Sequence, residues 1–540
     1  MRGEAVSCSL RPRLGPPAGS TQPKPGLGAR QPFFSSHRGP RRTKSMLLTR
    51  ARMLQIEQET FSRGIPADVL METIGAKLAR FVSQFFPRPG LVVCYAGKGH
   101  NAGDALVAAR HLAVLGWRVL VRSPFSRDDF AALTRDKFDA LHSSLLPGPF
   151  RPSTPQDGPL VQLDALVGLG AQGTLREPLA SVALEMNELR RTANAKTVAV
   201  DFPSGLDPDT GIPGDPCVEA DFTATVGFAK TGLVGDAAVN HVGRLGLLDS
   251  PDFLRPDADH ADELLTAPLL RRDWPPRAFE TNKGMCGRAI LLAGSRGTLG
   301  AAHLCTAGAV RGGAGLVSLG ALPDAYDLLA ATMIPEVMVR PLEKLTDIFN
   351  FPVDAIGIGP GLGGGEDART LRIVREAPCP TVVDADALTI VSHAGLQHID
   401  QAKGPRLLTP HPGEMRRLLA GREIKDRSKV ARDFTDKHAV TLLLKGARTV
   451  IAQRGLPLRY NTTGHPGMAT GGLGDVLTGV CTALLAQGAD TYQAASVGAW
   501  VCGRAAEIAL TQGASTESLT PTDVLDNLGP AFRSLRAGDF

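Results

Sequence analysis

Short apolar segments that end in glycine-rich loops recur along this sequence and constrain its fold more than any other feature. The segment LVVCYA (91–96) has no polar interruption and continues into the loop AGKGHNAGDA, and a helix-like stretch then extends to about Leu115. Uninterrupted apolar segments of strand length are typical of parallel sheets, because helices cover both faces of such sheets. The next segment, WRVLVR (117–122), completes a strand–helix–strand unit. The sequence therefore predicts a parallel α/β sheet.

The alternation of strands and helices occurs in two series. Residues 51–85 are predicted to form two helices, broken at Gly64 and Pro66, before the first series begins. A polar, proline-containing stretch at 249–277 separates the series. Each series predicts a doubly wound α/β domain, the first over 46–255 and the second over 265–540. The remaining predicted strands are 161–170 and 196–205 in the first domain and 286–294, 314–320, 353–359, 380–386, 405–410 and 440–446 in the second.

The charges are distributed unevenly between the first residues and the rest of the chain. Residues 1–45 are rich in Pro, Gly, Arg and Ser and are predicted to be a disordered basic extension. Its arginines are typical of an organellar transit peptide, but its prolines oppose the amphipathic helix that such a peptide needs. Residues 1–52 contain eleven Lys or Arg and one acid, whereas the rest contains 48 basic and 53 acidic residues. The chain after residue 52 therefore lacks the excess of basic residues that is typical of a nucleic-acid-binding protein.

Composition excludes two further classes of protein. No stretch of about eighteen consecutive apolar residues is present, so we expect no membrane span. The eight cysteines form no CxxC pair and no zinc-site spacing. A chain of this length does not need disulfides, and buried reduced thiols in a cytoplasmic protein are the preferred interpretation. The cysteines are Cys8, Cys94, Cys217, Cys286, Cys305, Cys379, Cys481 and Cys502.

Three strand ends in the first half are predicted to line one pocket. In the loop after LVVCYA, Gly97, Gly99 and Gly103 permit a sharp turn, and the helix N-terminus offers free N–H groups to a phosphate. The spacing is not GxGxxG and does not indicate NAD oxidoreduction. Asp164 and Asp201 each end a predicted strand before a glycine-containing loop. Strand C-terminal ends converge on a ligand crevice in parallel sheets, although each Asp alone could be a helix N-cap.

The segments GKGHNAGD, LDALVGLGAQGT and VDFPSGLDPDTG resemble the NAD(P)H-hydrate epimerase domain over about residues 46–250. The resemblance implies a Rossmann-like three-layer domain, in which Asp201 contacts the altered nicotinamide ring and is catalytic. It implies a potassium site formed by Asn101, Asp164 and Ser204, and oxygen ligands suit a hard cation. The first loop has His100, Ala102 and Ala105 where the family has Asn, Gly and Gly in GNNGGDG. The implied substrate-binding residues are His100, Asn101, Ala102, Gly103, Asp104, Gly168, Leu169, Gly170, Ala171, Gln172, Gly173, Thr174 and Asp201.

A second glycine-rich segment, NTTGHPGMATGGLGDVLTG (461–479), precedes an apolar helix. The successive N–H groups around Gly471, Gly472 and Gly474 form an anion-binding nest along the helix axis. Asp475 follows at the position where a carboxylate takes a proton from a substrate hydroxyl in phosphoryl transfer. The pattern GGxGD before a helix resembles the ribokinase superfamily. A glycine-rich N-cap with Asp in the first turn is the structural alternative.

Further loops of the second half carry residues suited to ligand contact. LLTPHPGEM supplies His411 and Glu414 after a predicted strand, and LLKGART supplies Lys445 for a nucleotide phosphate or ribose. IGPGLG and AGSRGTLGAA allow close approach of the backbone. Together with NKGMCGRAILLAGS, DADAL and GMATGGLGDVLTG, these segments resemble ADP-dependent NAD(P)H-hydrate dehydratase over about residues 270–535. The resemblance implies a ribokinase-like domain.

The same resemblance implies two groups of site residues in the second domain. The hydrate is implied to contact Ala301, Gly361, His411 and the catalytic Asp475. ADP is implied to contact Lys445, Gly446, Ala447, Arg448, Thr449 and Gly474. Magnesium is expected with the ADP, because it offsets charge on a transferred phosphoryl group.

The two domains in this order resemble the bifunctional NAD(P)H-hydrate repair enzymes. The resemblance implies that the chain epimerises the R and S hydrates of NADH and NADPH (NADHX and NADPHX). It then implies dehydration of the S hydrate with ADP through a phosphorylated intermediate. We expect a homo-oligomer without nucleic-acid or membrane partners. The alternative is a vitamin or sugar kinase fused to a non-catalytic nucleotide-sensing module, although TPHPGEM and KGART together oppose the kinase.

Overall fold

A parallel sheet of six strands organises the first half of the chain. The computed structural model describes residues 45–141, 158–171, 173–256 and 261–540. The strand order is β3-β2-β4-β5-β6-β8, and a short parallel pair of β1 and β7 lies beside it. The strands are β1 (Leu47–Leu48), β2 (Leu91–Ala96), β3 (Arg118–Arg122), β4 (Leu160–Ala165), β5 (Lys196–Val200), β6 (Phe222–Val226), β7 (Ala229–Lys230) and β8 (Arg244–Leu248).

The helices of this half connect successive strands, so that the predicted doubly wound arrangement is confirmed. All six residues of β2 are buried, as an apolar segment covered on both sides requires. Strand β6 was not predicted, because its sequence FTATV is not an uninterrupted apolar segment. Both of its threonines are nevertheless buried, and Thr223 donates a hydrogen bond to the carbonyl of Val242 at 2.7 Å. The helices are α1 (Arg50–Ser62), α2 (Ala67–Phe85), α3 (His100–Val114), α4 (Ala132–Leu141), α5 (Leu179–Thr192) and α6 (Val239–Val242).

A sheet of ten strands organises the second half. Its order is β12-β11-β10-β13-β14-β15-β16-β17-β18-β9, and β17 is antiparallel to both of its neighbours. All six strands predicted in this half are present. The strands are β9 (Glu263–Leu265), β10 (Arg288–Leu292), β11 (Leu316–Ala321), β12 (Val337–Pro341), β13 (Ala355–Ile358), β14 (Thr381–Val383), β15 (Arg406–Leu408), β16 (Thr441–Leu444), β17 (Val450–Gln453) and β18 (Arg459–Asn461).

The edge strand β9 lies within the stretch interpreted from sequence as a polar connection. Its residue Glu263 is buried because the guanidinium of Arg459, on the neighbouring β18, pairs with its carboxylate at 3.0 Å. The sheet of the second half thus begins two residues before the predicted domain start at 265. The helices of this half are α7 (Ala267–Asp273), α8 (Leu299–Arg311), α9 (Pro323–Thr332), α10 (Asp367–Glu376), α11 (Ala385–Ala394), α12 (Gln397–Asp400), α13 (Pro412–Leu418), α14 (Arg427–Lys437), α15 (Leu473–Ala486), α16 (Thr491–Thr511) and α17 (Pro521–Ala537).

Residues 1–44, which include Cys8 and most of the predicted basic extension, lie outside the described residues. Seven cysteines are described, all as free thiols, and six of them are buried. No helix in the described ranges is long and apolar enough to cross a membrane. The two halves contact each other through a buried ion pair, in which Arg244 of β8 lies 3.0 Å from Glu507 of α16.

Candidate active sites

The first candidate site lies where the order of the first sheet reverses. Strand β2 pairs with β3 on one side and with β4 on the other, so the chain winds away from β2 in both directions. Open α/β sheets bind ligands at such a point, outside the strand C-terminal ends. Glycine is required at position 97 because a Cβ there would lie 2.0 Å from the carbonyl oxygen of Leu166. The loop before α3 therefore touches the end of β4.

Asn101, Asp164 and Ser204, the predicted potassium ligands, lie together at this point. The hydroxyl of Ser204 donates to Oδ1 of Asp164 at 2.6 Å, and its backbone N–H donates to Oδ2 at 2.7 Å. Val167 connects Asn101 to this pair: its carbonyl accepts from Nδ2 of Asn101 at 2.8 Å, and its N–H donates to Oγ of Ser204 at 3.3 Å. Burial raises the pKa of Asp164 to about 6 although these hydrogen bonds favour its charged form.

Asp201 follows β5 and contacts a buried lysine that sequence reasoning missed. The side chain of Lys230, the last residue of β7, is fully buried, and its Nζ contacts Oδ1 of Asp201. The same oxygen accepts from the N–H of Val226 at 2.9 Å and from the hydroxyl of Thr225 at 3.3 Å. Asp201 itself has a φ of +70°, which is uncommon for a residue other than glycine. The one sequence signal that could have indicated Lys230 is its position at the end of the apolar segment VGFAK.

Two further carboxyl groups surround this ion pair. Burial and the charge of Asp201 raise the pKa of Glu57, on α1, to about 7, while the charge of Lys230 opposes the shift. The pKa of Asp104, on α3, is raised well above its usual value by burial and by the charges of Asp201 and Glu57. Glu57 was not predicted as a site residue, because nothing in α1 distinguishes it from the neighbouring Glu59.

The two loops predicted to hold the hydrate differ in exposure. His100 is exposed at the start of α3, whereas Ala102 is buried, and a Cβ at Gly103 would lie 2.5 Å from the side chain of Met71. In the second loop, Arg50 donates from Nε to the carbonyl of Leu169. Gln172, which was also predicted to bind the hydrate, lies outside the described residues. The other predicted residues of this loop are the partly buried Gly168 and the exposed Gly170, Ala171, Gly173 and Thr174.

The second candidate site lies at the corresponding reversal in the second sheet. Strand β10 pairs with β11 on one side and β13 on the other. The loops that follow β10 and β13 meet there, since the N–H of Gly294 donates to the carbonyl of Pro360 at 2.8 Å. Gly361 has a φ of +61°, and a Cβ on it would lie 2.9 Å from the Cβ of Ala301. The structure therefore places these two predicted hydrate contacts side by side.

Asp475 lies in the first turn of α15, directly after the glycine nest. Gly472 adopts a left-handed conformation with a φ of +94° and forms the N-cap of this helix. Burial and the charge of Asp384 raise the pKa of Asp475 to about 6, while the charge of Lys445 opposes the shift. A carboxyl group with such a pKa is mostly ionised at neutral pH and can accept a proton.

Lys445, which is partly buried, forms an ion pair with the buried Asp384 beside this turn. The Nζ of Lys445 lies 2.9 Å from Oδ1 of Asp384, and the hydroxyl of Thr478 donates to Oδ2 at 2.8 Å. A Cβ at Gly474 would lie 3.3 Å from Nζ of Lys445, so the loop after β16 reaches the start of α15. Asp384 belongs to the motif DADAL, but sequence reasoning assigned it no role. Its pairing with a residue 61 positions away is a tertiary contact.

His411 and Glu414 begin helix α13 as a capping box. The N–H of His411 donates to Oε2 of Glu414 at 2.8 Å, and the N–H of Gly413 donates to Nδ1 of His411 at 3.0 Å. The side chain of His411 is more than half exposed, so it is accessible to a ligand. Glu414 is buried, and its carboxylate lies 3.8 Å from Nζ of Lys445. This second carboxylate thus approaches Lys445 from the α13 side.

The predicted ADP-binding loop after β16 is divided between the crevice and the contact between the two halves. Lys445 reaches the crevice, whereas Arg448 is buried and donates from Nη2 to the carbonyl of Gly243 at 3.0 Å. Burial and the charges of Arg244 and Arg427 lower the pKa of Arg448 to about 10. The other predicted residues of this loop are the exposed Gly446 and Ala447 and the partly buried Thr449.

Models of known protein families match both halves of the chain. The family model described as NAD(P)H-hydrate dehydratase matches residues 289–529, and that of the YjeF-related protein N-terminus matches residues 67–232. A solved structure of ADP/ATP-dependent NAD(P)H-hydrate dehydratase from Bacillus subtilis, co-crystallised with ATP and Mg²⁺, is 29% identical with a TM-score of 0.44. The match covers 51% of this chain and 99% of the Bacillus subtilis chain.

Two relatives that match over most of their length are named as bifunctional enzymes. The bifunctional NAD(P)H-hydrate repair enzyme of Moorella thermoacetica is 35% identical over 529 residues, which cover 91% of this chain and 97% of the relative. The enzyme of the same name from Gloeobacter violaceus is 36% identical over 487 residues, which cover 85% and 94%. Because both halves match in one order and over nearly the whole length of these relatives, the chain belongs to the family of bifunctional NAD(P)H-hydrate repair enzymes.

Proposed function

We propose that this chain repairs hydrated NADH and NADPH with two separate active sites. The first domain interconverts the R and S hydrates, and the second uses ADP to dehydrate the S hydrate. The observation that carries the proposal is Asp475, held in the first turn of α15 with a pKa of about 6 beside the Lys445–Asp384 pair. A proton acceptor next to a partly buried cation and an anion-binding helix N-terminus suits phosphoryl transfer.

In the second site, the residues divide into phosphate binding and proton transfer. The N–H groups at the start of α15 and the ammonium of Lys445 bind and orient the phosphates of ADP. Asp475 accepts the proton of the ring hydroxyl as that oxygen is phosphorylated. Phosphorylation matters because hydroxide is a poor leaving group and phosphate is a good one. Loss of phosphate then restores the reduced ring.

The donor set of the second site fits a magnesium ion. Mg²⁺ is usually held by one or two carboxylates together with substrate phosphates and water. Asp384 and Glu414 are buried carboxylates on two sides of Lys445, and they would supply those oxygens. When bound, the ion would neutralise charge on the transferred phosphoryl group. The described residues contain no cluster of three or more His, Cys, Asp or Glu side chains arranged for a metal, so the phosphates would complete the coordination.

Incubation with a mixture of R and S hydrates tests the function. Without ADP, the absorbance of the dihydronicotinamide ring should stay constant. With ADP and Mg²⁺, both epimers should return to NADH or NADPH, and ADP should support the reaction better than ATP. A clear preference for ATP, together with phosphorylation of a vitamin or sugar, would instead favour the kinase alternative.

We also propose that the first site holds potassium between Asn101, Asp164 and Ser204. Asp164 is fully buried, and among the described residues no Lys, Arg or His side chain forms an ion pair with it. A buried carboxylate without a cation is costly, so a bound cation would stabilise its ionised form. The assigned amide orientation of Asn101 directs Nδ2 to the carbonyls of Val167 and Val200; the reversed orientation would present an oxygen there. These oxygens fit a hard cation.

Thermal unfolding in different salts tests the potassium site without an activity readout. A ligand that binds only the folded state raises the midpoint of unfolding. KCl should therefore raise the midpoint of the wild-type protein above its value in choline chloride at equal ionic strength. The variant Asp164→Asn, which removes the charge but keeps the size, should lose this difference. An equal effect of KCl on both proteins would contradict the site.

Homo-oligomeric assembly, a cytoplasmic location and domain limits at 46–255 and 265–540 stay predictions of the sequence. They are compatible with this function but do not support it.

A further inference from the structure

Glu57 lies on helix α1, which is anchored beside the first candidate site. Strand β1 pairs in parallel with β7, so that Leu48 lies opposite Lys230, and α1 begins two residues later. Met53 of this helix is buried, and its methyl group packs against Gly227. A Cβ added to Gly227 would lie 2.8 Å from that methyl carbon. Glu57 follows Met53 by four residues and therefore shares its helix face. That face is directed toward the segment that joins β6 to β7.

The charges around Glu57 do not balance if every carboxyl group is ionised. The groups that act on it are Asp201 after β5, Lys230 on β7 and Asp104 on α3. Lys230 pairs with Asp201, which leaves Glu57 and Asp104 without an ion-pair partner among the described residues. Burial of unpaired charge is unfavourable, so these two groups favour their protonated forms. The pKa of Asp104 is raised well above its usual value, and the pKa of Glu57 is raised to about 7, so Glu57 can gain and lose a proton near neutral pH.

Asp201 is poorly placed to exchange a proton through Oδ1. That oxygen accepts from the ammonium of Lys230, the N–H of Val226 and the hydroxyl of Thr225. Protonation there would place a hydrogen against these three donors. The ion pair instead orients the carboxylate, and its second oxygen is left for contact with the ring.

We propose that Glu57 is the catalytic acid and base of epimerisation and that Lys230 positions Asp201 beside it. The inference rests on the proposed epimerase function. Protonated Glu57 donates its proton to the ring hydroxyl, the C–O bond breaks, and water leaves while the electron pair of the ring nitrogen forms a C=N bond. Water then adds to the opposite face of the same carbon, and the proton that this water loses returns to Glu57 through solvent. No oxidant or reductant is needed, and the residue ends the cycle as it began.

Glu57→Gln tests the inference, with Glu59→Gln as its matched control on the same helix. Glu59 is substantially exposed and contacts Arg52 and Gln55 rather than the site. Conversion of pure R hydrate to S hydrate, without ADP, should be followed by chromatography between pH 5.5 and 8.5. Glu57→Gln should lower kcat by about 10²–10⁴-fold, the usual contribution of a general acid or base. Glu59→Gln should retain the wild-type rate.

The pH profile separates proton transfer from a structural role. Because protonated Glu57 starts the reaction, wild-type kcat/KM should fall as pH rises through about 7. Glu57→Gln should lack this fall. Asp201→Asn, assayed at higher enzyme concentration, should move the fall to lower pH, because loss of the neighbouring negative charge makes Glu57 easier to deprotonate. Dehydration of S hydrate with ADP should be unchanged in Glu57→Gln, which shows that the variant is folded.

Two results would overturn the inference. The first is a Glu57→Gln rate equal to that of Glu59→Gln, and the second is a slow Glu57→Gln variant that keeps the wild-type fall near neutral pH. A wild-type protein that does not convert R hydrate would overturn the epimerase function itself, and this outcome is visible before any variant is made.

Discussion

Asp475→Asn is expected to lower the rate of ADP-dependent dehydration of S hydrate by about 10²–10⁴-fold, because it removes the base that accepts the hydroxyl proton. The change preserves size, and the half-buried side chain lies in the first turn of α15, so the fold should persist. Conversion of R to S hydrate should continue, since the first domain has its own site. Near-normal ADP-dependent turnover would refute the assignment of Asp475 as the base.

Asp523→Asn is the matched control. Asp523 also lies in the first turn of a helix of the second domain, α17, where it accepts hydrogen bonds from Thr520. The Asp523→Asn variant should therefore dehydrate S hydrate at the wild-type rate.

In the wild-type protein, the dehydration rate should fall as pH is lowered through about 6, because Asp475 must be ionised to accept a proton. In Asp475→Asn, the residual rate should lack this fall.

Asp201→Asn is expected to lower the conversion of R hydrate by about 10²–10⁴-fold, the usual contribution of a general acid or base, because the change removes the charge that favours protonated Glu57. The amide leaves Lys230 buried without its ion-pair partner and removes the negative charge that raises the pKa of Glu57. Both effects disturb the same centre. The measurement is the rate of S-hydrate formation from pure R hydrate without ADP.

Asp215→Asn serves as the control for this second prediction, because Asp215 is an exposed aspartate of the same domain. Both variants should dehydrate S hydrate at the wild-type rate when ADP is added. If Asp201→Asn lost S-hydrate turnover together with R-hydrate turnover in folded protein, the two sites would not be independent. If it kept R-hydrate conversion, Asp201 would have no role at the ring.

Several features of the sites follow from segments of sequence that act locally. The apolar segment 91–96 predicts β2 because a strand covered on both faces has no polar positions. The glycines before Asp475 predict a helix start, and α15 begins at Leu473. Sheet topology then brings Asp164 and Ser204 within hydrogen-bond distance, as convergence of strand ends predicts. The family could also be recognised from these segments, because they contain the motifs that define it.

Other features were decided only by the tertiary structure. Glu263 appears in a polar stretch and nevertheless lies in an edge strand, because Arg459, distant in sequence but on the adjacent strand, neutralises it. Arg448 belongs to the predicted ADP-binding loop, yet its guanidinium contacts the carbonyl of Gly243 in the other half. Polarity along the sequence does not show which partner a charged group will meet.

The sequence by itself determined the fold class, the family and the loops that approach the ligands, because these depend on periodicity and on glycines at local turns. Only the tertiary structure decided which charged groups act together. Lys230 lies 29 positions from Asp201, and Lys445 lies 61 positions from Asp384. The raised pKa of Glu57 likewise arises from burial and from the charge of Asp201, which belongs to a different element. Burial and charge pairing are properties of the folded chain, so a list of neighbours in sequence does not contain them.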